Sequence, residues 1–487
     1  MAQKARYNND MHEEAEHLGV PGTKKDFIIY GVIVFAVSSV LFWLLGNAHQ
    51  ALAASIVIAM MVGTLMFWRF RVAIAFAGLV VLLSTKTIDL EHAIEFMQLD
   101  VIVFLIGMMV LISLLRETGF FSWLGITIVK LAGFNAKRVM ALFLFMAATS
   151  AALVDEVTSI LFTTAMVLDF CNRYKISPVN YVISIVLATN VGSSWTVLGN
   201  PVGIMIALRA GLTFENFMRW AFPPGFLALL ALILVIWWWQ RRDLQELQKK
   251  MEAYGDPFTL GVALGAWADV KDKAFLWKGT LLFITVILLL ALHYRLELLL
   301  GLEKNTLLIA ASIGGAAVVM FWKRERAREY LEKGVDWWTL TFFMFLFSAA
   351  GAMKYVGVSE RIAEALKDVV GTNPISLSAV VLWVSAFTSA ALDNVVVVAA
   401  FIPVIQALRT AGAQVFPLWW ALLFGGTYGG NITMVGSTAN VVALGILEKQ
   451  AGYHMTLRKW IGIGLIAGVV PALIGILWLL IQLPLMP

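Results

Sequence analysis

The sequence predicts an all-α polytopic membrane protein built from two related halves, and three observations predict it. Of the 487 residues, 60% are hydrophobic and only 14% charged, where a soluble domain carries about 25% charge. Apolar runs of near-membrane length recur, as at 27–46, 226–239, 281–290 and 461–481, and a hydrocarbon core about 30 Å thick demands such runs. Two long polar-interrupted motifs occur twice, roughly half a chain apart. The runs do not alternate with period two, which argues against a β-barrel.

The first 26 residues are polar and lack an apolar stretch near the start, so a cytoplasmic tail without a cleaved signal peptide is expected. They contain "HEEAEH" (His12 to His17), whose spacing is not that of a zinc-binding helix. Residues 27–85 supply the first three spans, at 27–46, 50–68 and 71–85. A first unit covers 86–240, with a span at 100–115, a hairpin at 139–170, an interrupted span at 179–208 and a span at 220–239. Residues 241–277 mix acids and bases and read as a cytoplasmic connector. A helix pair at 278–294 and 305–322 follows. The second unit covers 323–487, with a span at 338–353, a hairpin at 376–408, an interrupted span at 417–447 and a last span at 460–482.

Two adjacent acids in an apolar stretch, "TSAALVDEVTS" at 149–159, explain why 139–170 reads as a hairpin. If it enters and leaves on one side, and 376–408 does the same from the other, 27 of the 36 Lys and Arg fall inside and 9 outside. Cytoplasmic loops carry such an excess. The N-terminus then lies in the cytoplasm and the C-terminus outside, in a bacterial or archaeal inner membrane. The basic balance (pI about 9.1) thus marks loops and not a nucleic-acid partner. The single cysteine, Cys171, excludes an internal disulfide.

The halves align at their motifs. "TSAALVDEVTSILF" at 149–162 matches "TSAALDNVVVVAAF" at 388–401, and "GSSWTVLGNPVGIMIAL" at 192–208 matches "GGNITMVGSTANVVALG" at 429–445. "LEHAIEF" (90–96) and "LEKGVDW" (331–337) are the matching starts, on opposite sides by the charge count. Inverted repeats with interrupted helices are characteristic of secondary transporters, with the site near the bilayer midplane. Gly and Pro in "NVGSSWTVLGNPVG" (190–203) and Gly in "TYGGNITMVGSTAN" (427–440) break helices. Broken backbone survives at membrane depth only where it is buried in protein or lines a cavity. Asn190, Thr196, Gly199 and Asn200 in the first break, and Asn431, Thr433, Ser437 and Asn440 in the second, are therefore expected to bind substrate.

The hairpin tips supply Ser150, Asp155, Glu156 and Thr158 on one side and Ser389, Asp393 and Asn394 on the other. An acid at a helix centre costs about 2.5–3.5 kcal/mol to insert and tends to mark an ion path. These seven are the expected ion- and proton-binding residues, with Asp155 and Asp393 weighted above Glu156. Lys and Arg are absent from both motifs, which argues against buried ion pairs. A sodium ion is placed at Asp155, Asn200, Asp393 and Ser437. No nucleophile–base set, metal spacing or nucleotide loop points to an enzyme, and no cofactor is expected beyond sodium and protons as coupling ions.

At these residues the chain resembles the ArsB/NhaD permeases of the ion transporter superfamily, over roughly 50–485. That group includes arsenite permeases, sodium–proton antiporters and relatives of the P protein, and is related to divalent anion:sodium symporters. The resemblance implies about eleven spans and two re-entrant hairpins, a homodimer, and elevator movement of a transport domain against a scaffold. It also implies surface linker helices at 209–219 and 355–373. By position, Asp155, Asn190, Asn200, Ser389, Asp393 and Asn394 fall on the family's ion-site residues. Glu156 replaces a common amide, Asn200 removes a carboxylate expected of sodium–proton antiporters, and "STAN" (437–440) replaces "PPN". The leading expectation is a sodium–proton antiporter; the alternative is a sodium- or proton-coupled carrier of a dicarboxylate or arsenite-type anion.

Overall fold

A computed structural model describes residues 24–67, 70–133, 135–254, 270, 272–453 and 455–487. The His12–His17 stretch and most of the 241–277 connector beyond Tyr254 lie outside the described residues. Three helices open the chain: α1 (Lys24–Leu45), α2 (Ala48–Met66) and α3 (Arg71–Ser84). The first unit follows as α4 (Leu90–Glu95), α5 (Leu99–Glu117), α6 (Phe120–Ala132), α7 (Ala136–Leu153), α8 (Glu156–Tyr174), α9 (Val179–Gly192), α10 (Pro201–Ala210) and α11 (Phe222–Trp239). Between the units lie α12 (Arg241–Tyr254), α13 (Lys273–Leu300) and α14 (Thr306–Trp322). The second unit is α15 (Ala327–Glu332), α16 (Trp337–Tyr355), α17 (Val358–Val370), α18 (Pro374–Ala391), α19 (Asn394–Thr410), α20 (Phe416–Gly429), α21 (Thr438–Ala451) and α22 (Leu457–Gln482).

Each element of the first unit has its counterpart in the second, from α4 with α15 to α11 with α22. The expected hairpins are α7–α8 and α18–α19, each turning over two residues. The interrupted spans are α9–α10 and α20–α21. The two units carry the same succession of helices, so the all-helical two-repeat class holds; with the hairpins taken as re-entrant, five crossings (α5, α9–α10, α11, α13 and α14) separate their starts and the copies would lie in opposite orientation. Among the described residues, seven helices are long and apolar enough to cross a membrane, or nine when each bent pair counts as one. Helices α9 and α10, of 14 and 10 residues, rise about 21 and 15 Å, so neither crosses alone and the two together do.

One expectation is corrected. The 209–219 stretch is no surface helix: Arg209 and Ala210 end α10, and a three-residue turn of helix at Phe214–Asn216 runs through a π-helical turn at Phe217–Ala221 into α11. The true counterpart of α17 in the first unit is α6, which joins α5 to the hairpin as α17 joins α16 to its own. Helix α17 has the amphipathic pattern of such a linker, burying Val358, Ser359 and Ala363 while Glu360, Arg361, Glu364, Lys367 and Asp368 lie on the other faces. Sequence pattern does not point to 120–132 as the linker, because that stretch is almost wholly apolar, with Lys130 its single charge.

The hairpins are held by their own unit's interrupted span. Helix α9 packs on α7 and α20 packs on α18. Contact is close because glycine stands at matching positions. A Cβ on Gly192 would lie 2.1 Å from the Ala148 carbonyl, and one on Gly429 would lie 2.3 Å from that of Ala386. The same fixing recurs at the breaks: the Thr196 hydroxyl donates to the Ala152 carbonyl and the Thr433 hydroxyl to that of Ala390. Each bond ties a break to the last turn before a hairpin tip, satisfying a carbonyl that the helix end leaves open.

Gly192→Ala and Gly429→Ala should each lower stability by at least about 1–3 kcal/mol through overpacking against rigid backbone. Thermal melting in detergent checks this, with Gly31→Ala in α1, where a Cβ meets nothing within 4 Å, remaining within about 0.5 kcal/mol of the parent.

Candidate functional site

The two tips meet. Glu156 is the first residue of α8 and Asn394 the first of α19, and they are equivalent positions of the two copies. Asn394 Nδ2 lies 3.4 Å from Glu156 Oε1 and 3.5 Å from Oε2. Asn200 Nδ2, from the first break, lies 3.5 Å from Glu156 Oε2 and donates to Ser193 Oγ at 3.0 Å. Glu156, Asn200 and Asn394 are all buried. Contacts of 3.4–3.5 Å are at the long limit for a hydrogen bond, and a clamped carboxylate would show 2.7–2.9 Å. The carboxyl group is approached by amides from both halves and gripped by neither.

The flanking aspartates do local work first. Asp155 Oδ1 accepts the Thr158 N–H at 2.9 Å, and Asp393 Oδ1 accepts that of Val395 at 3.0 Å. Each caps the helix it precedes, the N-terminal role Asp fills well. They differ in backbone and exposure. Asp393 is relaxed (φ −58°) and 4% exposed. Asp155 is half-buried at φ 150°, ψ 158°, a region nearly restricted to glycine and costing about 1–3 kcal/mol for other residues. Such strain gathers at functional turns because surrounding contacts must enforce it.

Two arginines from outside the motifs serve the tips. Arg116, at the end of α5, donates to Thr158 Oγ1 at 3.4 Å and has Asp155 within range of its charge. Arg71, the first residue of α3, is buried with Asp393 and Asp336 within range. Sequence reasoning missed both. They stand at span ends, where a basic residue reads as a topology marker. Neither lies near the tips in the sequence, so the pairing they offer was invisible there.

A second polar cluster lies between the breaks. Asn190 Nδ2 donates to Asn431 Oδ1 and Asn440 Oδ1, both at 2.8 Å. Asn431 donates to the carbonyls of Leu187 and Ala467 at 3.1 Å. Asn440 donates to those of Gly430 at 2.8 Å and Thr433 at 2.9 Å. Three fully buried amides are thus linked across the halves: Asn440 satisfies two carbonyls of the second break, Asn431 reaches carbonyls of α9 and α22, and Asn190 joins the two from the first unit. The Oδ1 atoms of Asn190 and Asn394 are buried without a hydrogen-bond donor, an uncommon state for a buried polar atom.

The remaining expected residues fall as follows. Ser389 donates to the Gly426 carbonyl at 2.7 Å. Ser150 is buried in the last turn of α7. Gly199 is required by close approach, since a Cβ would lie 2.2 Å from the Ser193 carbonyl. The four residues expected to share a sodium ion are spread over different contacts. Asn200 is on Glu156 while Asp155 is on Thr158, and Asp393 accepts from Thr438 Oγ1 at 2.7 Å while Ser437 caps α21 through the Ala439 N–H at 3.2 Å. Among the described residues, no three His, Cys, Asp or Glu are grouped to hold a metal. The acid that both halves reach is Glu156, which the sequence reading ranked below the two aspartates.

Comparison with known proteins places the chain in a family. Residues 57–425 match the family described as citrate transporter, CitMHS. The chain belongs to that family. An uncharacterized transporter of Mycobacterium tuberculosis is 32% identical over 384 residues, 78% of this chain and 85% of that protein. The human P protein, of the kind the motifs resemble, is 25% identical over 457 residues, covering 81% of this chain and 54% of the P protein. Among solved structures, the Alcanivorax borkumensis YdaH transporter, described as having an unusual topology, superposes with a TM-score of 0.54 at 15% identity over 79% of this chain and 85% of that one. The citrate transporter family member described here is therefore an integral membrane transporter, not an enzyme, and shares the YdaH fold.

Asn440→Ala should remove the donors of two buried carbonyls and one acceptor of Asn190, costing about 1–3 kcal/mol per orphaned group. A fall in melting temperature in detergent, larger than that of Ser437→Ala, checks this.

Proposed function

We propose that the protein exchanges sodium or lithium for protons, with Glu156 as the carboxyl group that takes either. The carrying observation is the position of Glu156 at the contact between inverted copies, among amide groups and without a clamped partner. The charges of Asp393 and Asp155 lie within range of it. Two buried amide oxygens without donors, on Asn190 and Asn394, are hard oxygen ligands of the kind an alkali cation takes. The N-termini of the half-helices α10 and α21 would hold an anion if open. Both are already faced by acids: Asn200, which caps α10 through the Gly203 N–H at 2.8 Å, meets Glu156, and Thr438 meets Asp393. That arrangement supports a cation at the crossing point.

A second reading is a sodium- or proton-coupled carrier of a small carboxylate. The family description and the two arginines beside the tips favour it. In either reading the protein works as an elevator, with hairpins and interrupted spans moving against α1–α3 and α13–α14. It does so as a homodimer in an inner membrane, with the N-terminus in the cytoplasm and the C-terminus outside.

In proteoliposomes holding a pH-sensitive dye, sodium or lithium addition should dequench the dye between about pH 6 and 9. Sodium-gradient-driven uptake of labelled citrate without a dye response would instead establish the second reading. Glu156→Gln should abolish the response, a fall of about 100-fold or more. Asp155→Asn, which retains a good helix cap, should keep measurable flux; equal loss in both would remove Glu156 from its special place.

A further inference from the structure

Asn200 stands beside Glu156 and is fixed at both ends of its amide. Its Oδ1 accepts the Gly203 N–H at 2.8 Å, which settles the orientation of the amide and turns Nδ2 to the site. Nδ2 donates to Ser193 Oγ at 3.0 Å and lies 3.5 Å from Glu156 Oε2. The Ser193 hydroxyl donates its one proton to the Asn190 carbonyl, also at 3.0 Å, one of those that the end of α9 leaves open. With that proton committed, the Ser193 oxygen can only accept, and it accepts from Asn200. Ser193 is wholly buried, so both bonds are made away from solvent.

The distances show which acceptor holds the amide. A carboxylate is the stronger acceptor and draws an ionic hydrogen bond in to about 2.7–2.9 Å, yet here the hydroxyl has the shorter contact and the carboxyl group the longer one. Asn394 is not restrained in this way: its Nδ2 is turned to Glu156 and its Oδ1 is buried without a donor. Ser194 cannot stand in for Ser193, because its hydroxyl donates to the Val191 carbonyl at 2.9 Å and meets Tyr428 Oη at 3.0 Å. The second break has neither partner. With Gly192 matched to Gly429, Gly430 stands where Ser193 does and Ser437 where Asn200 does. Hydroxyl and amide thus occur together in one copy and are both missing from the other.

We infer that Ser193 is a positioning residue that holds the Asn200 amide back from Glu156 and so leaves one side of that carboxyl group open to an alkali cation. It acts through Asn200 and does not touch the ion. Without the hydroxyl, the buried Nδ2 keeps a single acceptor, Glu156. A buried donor is rarely left unpaired, so the amide closes on the carboxylate. An entering sodium ion must then first break a charge-assisted hydrogen bond. This inference rests on the exchange reading, in which Glu156 takes the ion.

The test is sodium-dependent thermal stabilisation of the purified full chain in detergent, with sodium chloride against choline chloride at constant ionic strength. The melting temperature without sodium reports the structure, and the sodium concentration that gives half the stabilisation reports affinity. Ser193→Ala should lower the first, because the Asn190 carbonyl loses its donor. It should raise the second at least about tenfold, as one hydrogen bond to a charged group implies. In an Asn200→Ala background, adding Ser193→Ala should still lower the melting temperature but move the half-stabilising concentration no further, because the effect on the ion runs through that amide. A folded Ser193→Ala with wild-type sodium affinity overturns the inference and leaves the exchange reading standing, as does an equal loss of affinity with and without Asn200. Asn200→Ala with no sodium response makes Asn200 itself a ligand and also overturns the inference. Wild type indifferent to sodium overturns both. Should Ser193→Ala fail to fold, Ser193→Cys decides, since a thiol of similar shape is only a weak acceptor: a raised half-stabilising concentration upholds the inference, and an unchanged one, or a second failure to fold, leaves Ser193 only structural.

Discussion

A carboxyl group buried at membrane depth is the constraint around which this structure is arranged. Removing its water is costly unless other dipoles replace it. Here Asn394, from the second hairpin, and Asn200, from the first interrupted span, bring amides to Glu156. For those groups to arrive, two helices must stop at mid-depth and two spans must break. Each stop exposes backbone groups that lipid cannot satisfy. Threonines 196 and 433, the asparagine cluster and the tip aspartates satisfy them. Much of the polar chemistry in the middle of this protein follows from keeping one acid there.

The two copies share a scaffold for this work but have diverged in the residues that do it. Glu156 matches Asn394, so one tip offers an acid and the other the amide that faces it. Asn440 stands where the first copy has Gly203, and Asn431 where it has Ser194. Asn190 stands opposite Thr427. The inter-half hydrogen bonds are therefore made by residues without twins, while the bonds within each half, from Thr196 and Thr433, are duplicated. Symmetry fixes the architecture, and its violations make the site. Arg71 and Arg116 fit the same pattern, since they come from unrelated helices and serve different tips.

The sequence made the elements legible where a long signal existed. Hairpins expected at 139–170 and 376–408 occur as Ala136–Tyr174 and Pro374–Thr410, and interrupted spans at 179–208 and 417–447 occur as Val179–Ala210 and Phe416–Ala451. Repetition, apolar length and paired Gly breaks all pointed one way there. The linker at 209–219 was misplaced because no such agreement exists for a short amphipathic helix. At the site, the residue types were legible and their partners were not. Asp155 and Asp393 look alike in sequence, yet Asp155 sits in strained backbone and Asp393 in relaxed backbone. Arg71 is 322 residues from Asp393 in the chain, and only the fold brings their charges together.

The contrast between the tips bears on movement. The relaxed tip carries the buried aspartate, which accepts from Thr438 on its own unit's half-helix and feels Arg71 from outside that unit. The strained tip carries the more exposed aspartate, reached by an exposed arginine. Strain persists only while neighbouring contacts enforce it, so the first tip is the one whose backbone gains most from a change in those contacts. On the exchange reading proposed above, a cation entering at Glu156 would draw the amides of Asn394 and Asn200 off the carboxylate, because their N–H groups cannot share it with a positive ion. Their carbonyl oxygens can. Turning those amides would change the contact between the halves where α8 and α19 both begin, which on that reading is how ion binding would couple to the relative position of the two hairpins.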